Sequence, residues 1–140
     1  MDEDKRRNTI NRTVRKFDLE KRLLKFAVQI CDIAEALPKS SLVSAHVAHQ
    51  LIRSGTSPAS NYGEAQSAES RKDFIHKLKI CLKELRETHI WLQFLLMKKL
   101  NDPQTIQILE KEADELISIF VKSIETAKRN MTNSEKRTPS

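Results

Sequence analysis

A single stripe of apolar residues near the middle of the chain sets the strongest limit on its fold. Between residues 70 and 99 apolar positions recur at intervals of four and three, which is the spacing of one buried face of an α-helix. Its members are Phe74, Leu78, Cys81, Leu85, Thr88, Leu92 and Leu95. A helix of this length buries such a stripe against other helices, so the sequence predicts a helical bundle.

Three further segments continue the helical pattern. Residues 18–37 and 103–127 have apolar residues at intervals of three and four, and residues 42–66 carry a similar face built partly from small side chains. Pro38 ends the first segment, and Ser70 can cap the helix that carries the stripe. The links between the segments are short, which favours antiparallel neighbours.

The predicted fold is therefore all-α, an up-down four-helix bundle over residues 17–129. We expect a flexible basic arm at residues 1–16 and a disordered tail at residues 130–140, because neither segment carries an apolar face. The scarcity of turn-forming residues agrees, since the chain has 2 glycines and 4 prolines.

The stretch RSGTSPASNYGEA, residues 53–65, contains both glycines, Gly55 and Gly63, with Pro58 between them. As a loop it would extend to Glu69 and exceed the usual limit of about 12–15 residues. A phosphate-binding loop requires a lysine before Ser or Thr, and this stretch has no lysine. The helical face instead continues through it, in the series Ala48, Leu51, Gly55, Ala59, Tyr62 and Gln66.

A helix through this stretch has a large cost. Two interior glycines and a proline together destabilise a helix by roughly 5 kcal/mol. We therefore expect a kinked second helix whose small residues allow a neighbouring helix to approach closely. The expected structural polar network consists of Arg53, Ser57, Asn61 and Glu64, in which Arg53 pairs with Glu64, Glu84 or Glu87 and the polar side chains satisfy the carbonyl freed at Pro58.

Positive charge is unevenly distributed. The net charge of +6 divides into +3 over residues 1–16, −1 over residues 17–38, +5 over residues 39–99 and −1 over residues 100–140. This surplus is compatible with a nucleic-acid partner and equally with a role in solubility alone. The candidate nucleic-acid contacts are Lys5, Arg6, Arg7, Arg12, Arg15, Lys16, Lys72, Lys79, Lys83 and Arg86.

The stripe-bearing helix also has apolar residues away from its stripe. A segment that is apolar nearly all round is buried on every side, which a four-helix monomer does not provide. Lys72, Lys79, Lys83 and Arg86 form a basic flank of the same helix, and Asp73, Glu84 and Glu87 form an acidic flank. These charges are read either as a solvated face or as a contact in which the basic flank of one subunit meets the acidic flank of the next. The candidate oligomer interface is Ile80, Glu84, Glu87, Ile90, Trp91, Phe94 and Met97.

Catalytic and metal-binding patterns are not found in the sequence. No glutamate has a histidine three residues later, as a di-iron bundle requires, and no nucleophile or acidic cluster has a recognisable spacing. We predict a non-enzymatic protein without cofactors or metal. The charged N-terminus lacks a signal sequence, and Cys31 and Cys81 are read as free buried thiols rather than a disulfide, so we expect a cytoplasmic location away from membranes.

Two segments resemble a known family. QLIRSGTSPASNYGEA (50–65) and SRKDFIHKLKICLKELRETHIWLQFL (70–95) are similar to the bacterial four helix bundle proteins, which include proteins encoded within intervening sequences of large-subunit ribosomal RNA genes. The family is also related in fold to the accessory variability proteins of diversity-generating retroelements. The resemblance covers about residues 18–125 and rests on the R-S-x-x-S-x-x-x-N-x-x-E block.

What the resemblance implies is a ring-shaped homo-oligomer, a pentamer, acting beside RNA or a reverse transcriptase. Two functional hypotheses remain open from the sequence. One is an accessory protein that binds nucleic acid or a ribonucleoprotein through its basic surface. The other is a protein scaffold that docks a partner, such as a reverse transcriptase or another neighbouring gene product, without touching nucleic acid.

Overall fold

The structure is a computed structural model that describes residues 2–137, with side chains described for residues 2–7 and 18–132. The secondary-structure elements of this part of the chain are all helices, which confirms the all-α prediction. They are α1 (Glu3–Ala36), α2 (Leu42–Gln66), α3 (Arg71–Lys98) and α4 (Pro103–Arg137).

Consecutive helices are antiparallel. Arg53 and Glu64 of α2 contact Glu84 and Lys77 of α3 respectively, so the two helices run in opposite directions. Each of the pairs α1–α2, α2–α3 and α3–α4 packs extensively, whereas α1 and α4 touch far less. The helices thus form an up-down bundle with one loosely closed seam, between the first and the last helix.

The outer helices are longer than the sequence predicts. The helix α1 begins at Glu3, in the segment expected to be a flexible arm, and α4 continues to Arg137, within the expected tail. Asp2 caps α1 by accepting a bond from the Asp4 amide, and acidic residues in the first turn favour a helix N-terminus. The apolar pattern begins only near residue 19, so it could not indicate this extension.

Three helix starts are capped by side chains, and the cap at Ser70 is the one predicted above. The hydroxyls of Ser41 and Ser70 accept hydrogen bonds from the amides of Ser44 and Asp73. Asp102 accepts bonds from both the amide and the hydroxyl of Thr105, directly before α4 begins at Pro103. These bonds satisfy amides that a helix N-terminus otherwise leaves without partners.

The core lies between all four helices. Tyr62 of α2 meets Phe120 of α4 edge to face, with ring centroids 5.9 Å apart. The α3 stripe is buried with one exchange, since Ile75 is buried where the sequence predicts Phe74, which is half-buried. The largest fully buried side chains are Phe26, Phe120, Leu23, Ile30, Leu51, Leu78, Leu85, Leu92, Leu95, Ile106, Leu116 and Val47.

The unusual stretch of α2 is helical throughout, as predicted. The helix runs without interruption from Leu42 to Gln66 and contains Pro58 in its interior. Gly55 lies directly against Ile30 of α1, and a methyl group at this glycine would stand 2.5 Å from Ile30 Cγ2. The predicted close approach of a neighbouring helix is therefore present at this position, while a kink at Pro58 stays a prediction.

A buried polar contact and a thiol accompany this packing. Thr88 of α3 donates to the Ser54 hydroxyl over 2.9 Å, and Ser54 donates to the Gln50 carbonyl over 2.8 Å. Cys81 is a free, buried cysteine whose pKa is raised by burial to about 12. Cys31 is free and only half-buried, so the prediction of burial holds for one of the two cysteines.

Candidate interaction surface

One face of α3 carries a row of cations. Lys72, Lys79, Lys83 and Arg86 are all exposed, and their spacing of seven, four and three residues places them on one side of the helix. Within the described part of the chain none of the four forms an ion pair. We call this row of exposed cations the basic face of α3.

The N-terminal cations lie toward the same end of the molecule as the start of this face. Lys5, Arg6 and Arg7 are exposed at the beginning of α1, and an up-down bundle places the beginnings of α1 and α3 at one end. The side chains of the other three predicted contacts, Arg12, Arg15 and Lys16, lie outside the described residues.

The basic face becomes apolar in the second half of α3. Ile90 is 61% exposed and Met97 86% exposed, and both continue the side of the helix that carries Lys83. Isolated exposed apolar side chains are common in proteins. Two of them on one face, at the end of a basic row, are the observation that favours an additional protein contact.

Trp91 and Phe94 are not directed away from the core as the sequence indicated, whereas their place in an oligomer interface stays a prediction. Both are half-buried and pack against the core. Trp91 also stacks edge to face on His46 of α2 and on Phe94, with ring centroids 5.8 Å apart in each pair. The reason is the width of these rings, which reach the α2–α3 boundary from positions beside the stripe. Ile80 is half-buried as well.

The two acids of the predicted interface are engaged within the chain. Arg53 donates to Glu84 over 3.0 Å and forms a short contact with Glu87, and its other nitrogen also meets the Gln50 amide oxygen at 2.9 Å. The Arg53 side chain is 51% exposed while that of Glu84 is 13% exposed. The group links α2 to α3 at the surface of the bundle rather than in its interior.

Glu64 pairs with Lys77 rather than with Arg53. It accepts a hydrogen bond of 2.7 Å from Lys77 of α3, a contact that raises the pKa of this lysine. Glu64 lies about three turns along α2 from Arg53, which is too far for their side chains to meet. The pairing of Arg53 with Glu64 is therefore wrong, whereas its pairing with Glu84 and Glu87 is observed.

Ser57 and Asn61 bond to each other. The Asn61 amide donates to the Ser57 carbonyl over 3.0 Å and to the Ser57 hydroxyl over 2.8 Å, and the Ser60 hydroxyl also donates to that carbonyl. We expected such groups to satisfy the Ser54 carbonyl, which loses its helical partner because Pro58 has no N–H. Among the described side-chain bonds none ends on the Ser54 carbonyl, so this expectation is wrong.

The seam between α1 and α4 was not anticipated from the sequence. Arg22 of α1 bridges it through contacts with Glu112 and Glu115, and the bonds raise the pKa of this arginine. Beyond this bridge a cleft of about 430 Å³ opens between the end of α1 and the start of α4. Ile108, which stands off the apolar stripe of α4 and is 66% exposed at the cleft, is the sequence signal that could have indicated it.

The remaining polar side chains of the described residues include one histidine beside two acids. His89 lies 3.2 Å from Asp114 and 3.5 Å from Glu110 across the α3–α4 contact. No grouping of three His, Cys, Asp or Glu side chains suited to a metal ion occurs among the residues that the structure describes. In this same part of the chain, none of the helices is both long enough and apolar enough to cross a membrane.

Comparison with known proteins identifies relatives of this bundle. A family model described as 23S rRNA-intervening sequence protein matches residues 15–122. A crystal structure from Bacteroides thetaiotaomicron, described as a protein of unknown function from the S23 ribosomal protein family, is 31% identical with a TM-score of 0.72, covering 79% of this chain and 97% of that one. No curated protein matches the sequence. Because the family model spans most of the bundle, the chain belongs to the 23S rRNA-intervening sequence protein family.

Proposed function

We propose that this chain forms a non-catalytic, ring-shaped homo-oligomeric accessory protein of five subunits, which binds nucleic acid or a ribonucleoprotein through its basic surface. The observation that carries the proposal is the basic face of α3, whose four exposed cations form no ion pair in the described structure. Glu84 and Glu87, the acids expected to meet this face from a neighbouring subunit, are already engaged with Arg53.

Assembly would multiply this charge. Five copies of a chain with net charge +6 give about +30, and neutralising phosphates with such a surface releases counterions and favours binding. The cations of the N-terminal segment would add to the same end of each subunit. Lysine and arginine contacts of this kind position a nucleic acid without reading its sequence.

The family description supports RNA as the nucleic acid, because it refers to an intervening sequence of 23S ribosomal RNA. Aromatic residues make up 5% of the chain, and the rings described on α3 pack against the protein, so stacking on single-stranded bases contributes little. We therefore propose binding that depends on charge and shape rather than on base identity. Two free cysteines support the cytoplasm as the compartment.

A mobility-shift titration tests this proposal. Wild-type protein would be titrated against a fragment of 23S rRNA, an RNA of scrambled sequence and a single-stranded DNA, at about 50 mM salt and at increasing salt. We expect binding to all three, with affinity that falls steeply and log-linearly with salt concentration.

The matched variants separate the basic face from net charge alone. Lys79→Glu with Lys83→Glu should weaken binding by at least tenfold. Lys111→Glu with Lys122→Glu changes the charge equally on exposed positions of α4 and should have a much smaller effect. Equal losses in both variants would contradict a role for the α3 face, and no binding by wild type at about 50 mM salt would contradict the nucleic-acid function altogether.

The second candidate function, a scaffold for a protein partner such as a reverse transcriptase or another neighbouring gene product, is favoured by the exposed Ile90 and Met97. It would remain if wild type failed to bind nucleic acid. The oligomer is tested separately by light scattering, in which a mass of 16.2 kDa at micromolar concentration would contradict assembly.

A further inference from the structure

The cleft at the α1–α4 seam has the features of an acceptor site. Its walls include the apolar side chains of Ile33, Ile106 and Leu109, which are otherwise part of the core, and Ile108 stands exposed at its edge. The volume of about 430 Å³ exceeds that of a single large side chain. A concave apolar surface of this kind is stabilised when another apolar group displaces its water.

The charged residues that line the cleft are all acidic. Asp32 of α1 and Asp102 before α4 both line it, and the lining residues include no lysine or arginine. Hydrogen bonds from Thr105 lower the pKa of Asp102. In a chain with net charge +6, this is an acidic site with an apolar floor.

The end of α3 has the complementary composition. Met97 is the most exposed large apolar residue of this helix, and it is followed by the exposed cations Lys98 and Lys99. Neither lysine forms an ion pair with a described residue. An apolar projection with adjacent positive charges therefore faces solvent at one corner of the bundle.

The projection and the cleft lie at the same height along the bundle. Gln93 of α3 donates to Glu110 of α4 over 3.3 Å. One turn further along α3 is Met97, and one turn back along the antiparallel α4 is Ile106, which lines the cleft. The two features point in different directions, since the outward side of α3 and the α1–α4 seam are separated by α4, so one chain cannot join them itself.

We infer that the α1–α4 cleft accepts the end of α3 of a second copy, with Met97 on the apolar floor and Lys98 and Lys99 beside Asp32 and Asp102. The occupant is a second copy because the acidic, apolar lining of the cleft is complementary in composition to Met97, Lys98 and Lys99. A ring with its axis along the helices also keeps every subunit at one height. Such a head-to-tail contact uses two different surfaces, as closed rings require. The inference rests on the homo-oligomer proposed above.

Cysteine cross-linking tests the contact directly. A chain with Met97→Cys and another with Ile108→Cys would be co-expressed with different tags, both in a Cys31→Ser background, while Cys81 stays buried. Oxidation should give a covalent heterodimer of the two tagged chains. Each variant expressed alone should remain uncross-linked, because neither position lies opposite itself in a head-to-tail contact.

Charged substitutions provide the second test, measured as mass by light scattering. Met97→Asp and Ile108→Asp, both at exposed positions, should each reduce the assembly to 16.2 kDa. The control Leu24→Asp, at an exposed apolar site on α1, should leave the wild-type mass unchanged. An oligomer that gives no heterodimer and resists both substitutions overturns the inference but leaves the proposed oligomer intact. A monomeric wild type would instead contradict the oligomer itself.

Discussion

The two glycines of the chain lie eight residues apart in one helix, and their surroundings differ completely. At Gly55 an added methyl group would collide with Ile30, at 2.5 Å from Cγ2 and 3.0 Å from Cβ. At Gly63 it would meet nothing within 4 Å. Neither glycine has a positive φ, so backbone conformation explains neither of them.

The comparison shows that one glycine is required by packing and the other is not. A glycine inside a helix destabilises it by roughly 0.5–1 kcal/mol relative to alanine. At Gly55 this cost is offset by the contact between α1 and α2, because the missing side chain allows Ile30 to approach. At Gly63 no contact described within the chain offsets this cost. The end of α2 is therefore less stable than it would be with alanine at this position.

The largest effect should come from Gly55→Ala. Forcing a methyl group into a packed core costs typically about 1–3 kcal/mol, which exceeds the gain in helix propensity. We expect a lower free energy of unfolding, measured by urea denaturation at a fixed protein concentration. A variant as stable as wild type would show that Ile30 moves aside without cost and would remove the packing explanation.

A smaller loss of stability is expected from Thr88→Val. Thr88 lies on α3 and contacts Ser54, the residue next to Gly55. The substitution keeps the shape of the side chain but removes its bonds to the Ser54 hydroxyl and the Glu84 carbonyl. Ser54 retains its bond to Gln50, so the loss should be about 1 kcal/mol. The control is Thr56→Val, whose hydroxyl bonds only within its own helix near the surface; an equal loss there would show that the buried position adds nothing.

An increase in stability, rather than a loss, is expected for Gly63→Ala. The new methyl group enters open space, and alanine restricts the unfolded chain and favours the helix, which together should raise the free energy of unfolding by about 0.4–1 kcal/mol. The same urea titration measures it beside Gly55→Ala. A loss of stability would mean that another chain approaches Gly63 closely, and it should then come with a change in oligomeric mass.

The smallest effect belongs to Glu64→Ala, next to Gly63. A buried pair with Arg53, one of the pairings that the sequence allowed, would have made this change costly. Its partner is instead Lys77, and the Glu64 side chain is 60% exposed. Exposed ion pairs contribute about 0–1 kcal/mol, so thermal unfolding should be nearly unchanged. A large fall in melting temperature would indicate that the glutamate is buried by another subunit.

Much of the fold was predictable because helical periodicity reports directly on burial. The series on α4, from Ile106 to Ala127, is buried as its spacing indicates. Small deviations arose where two neighbouring positions compete for the core, as with Ile75 and Phe74. Ile52 of α2 is apolar yet 39% exposed, because the buried face of this helix runs through Val47, Leu51, Ser54 and Pro58.

The candidate surface was less predictable, for a physical reason. Long side chains such as Arg53 can reach several acids from one backbone position, so spacing alone did not select Glu84 and Glu87. The basic face of α3 could be projected correctly because its members share one helical phase. The α1–α4 seam depends on how far the first and last helices are held apart. An apolar residue off the stripe, such as Ile108, indicates an opening there but does not give its width.

That seam also has a consequence for how the chain reaches its folded state. Because each helix packs mainly on the next one along the chain, most stabilising contacts join segments that are close in sequence, and such topologies fold rapidly. Helices can therefore assemble in the order in which a ribosome releases them. Contacts between α4 and α1, bridged by Arg22, form only after the last helix has emerged, and hydrogen exchange should show that this edge opens more readily than the α2–α3 centre.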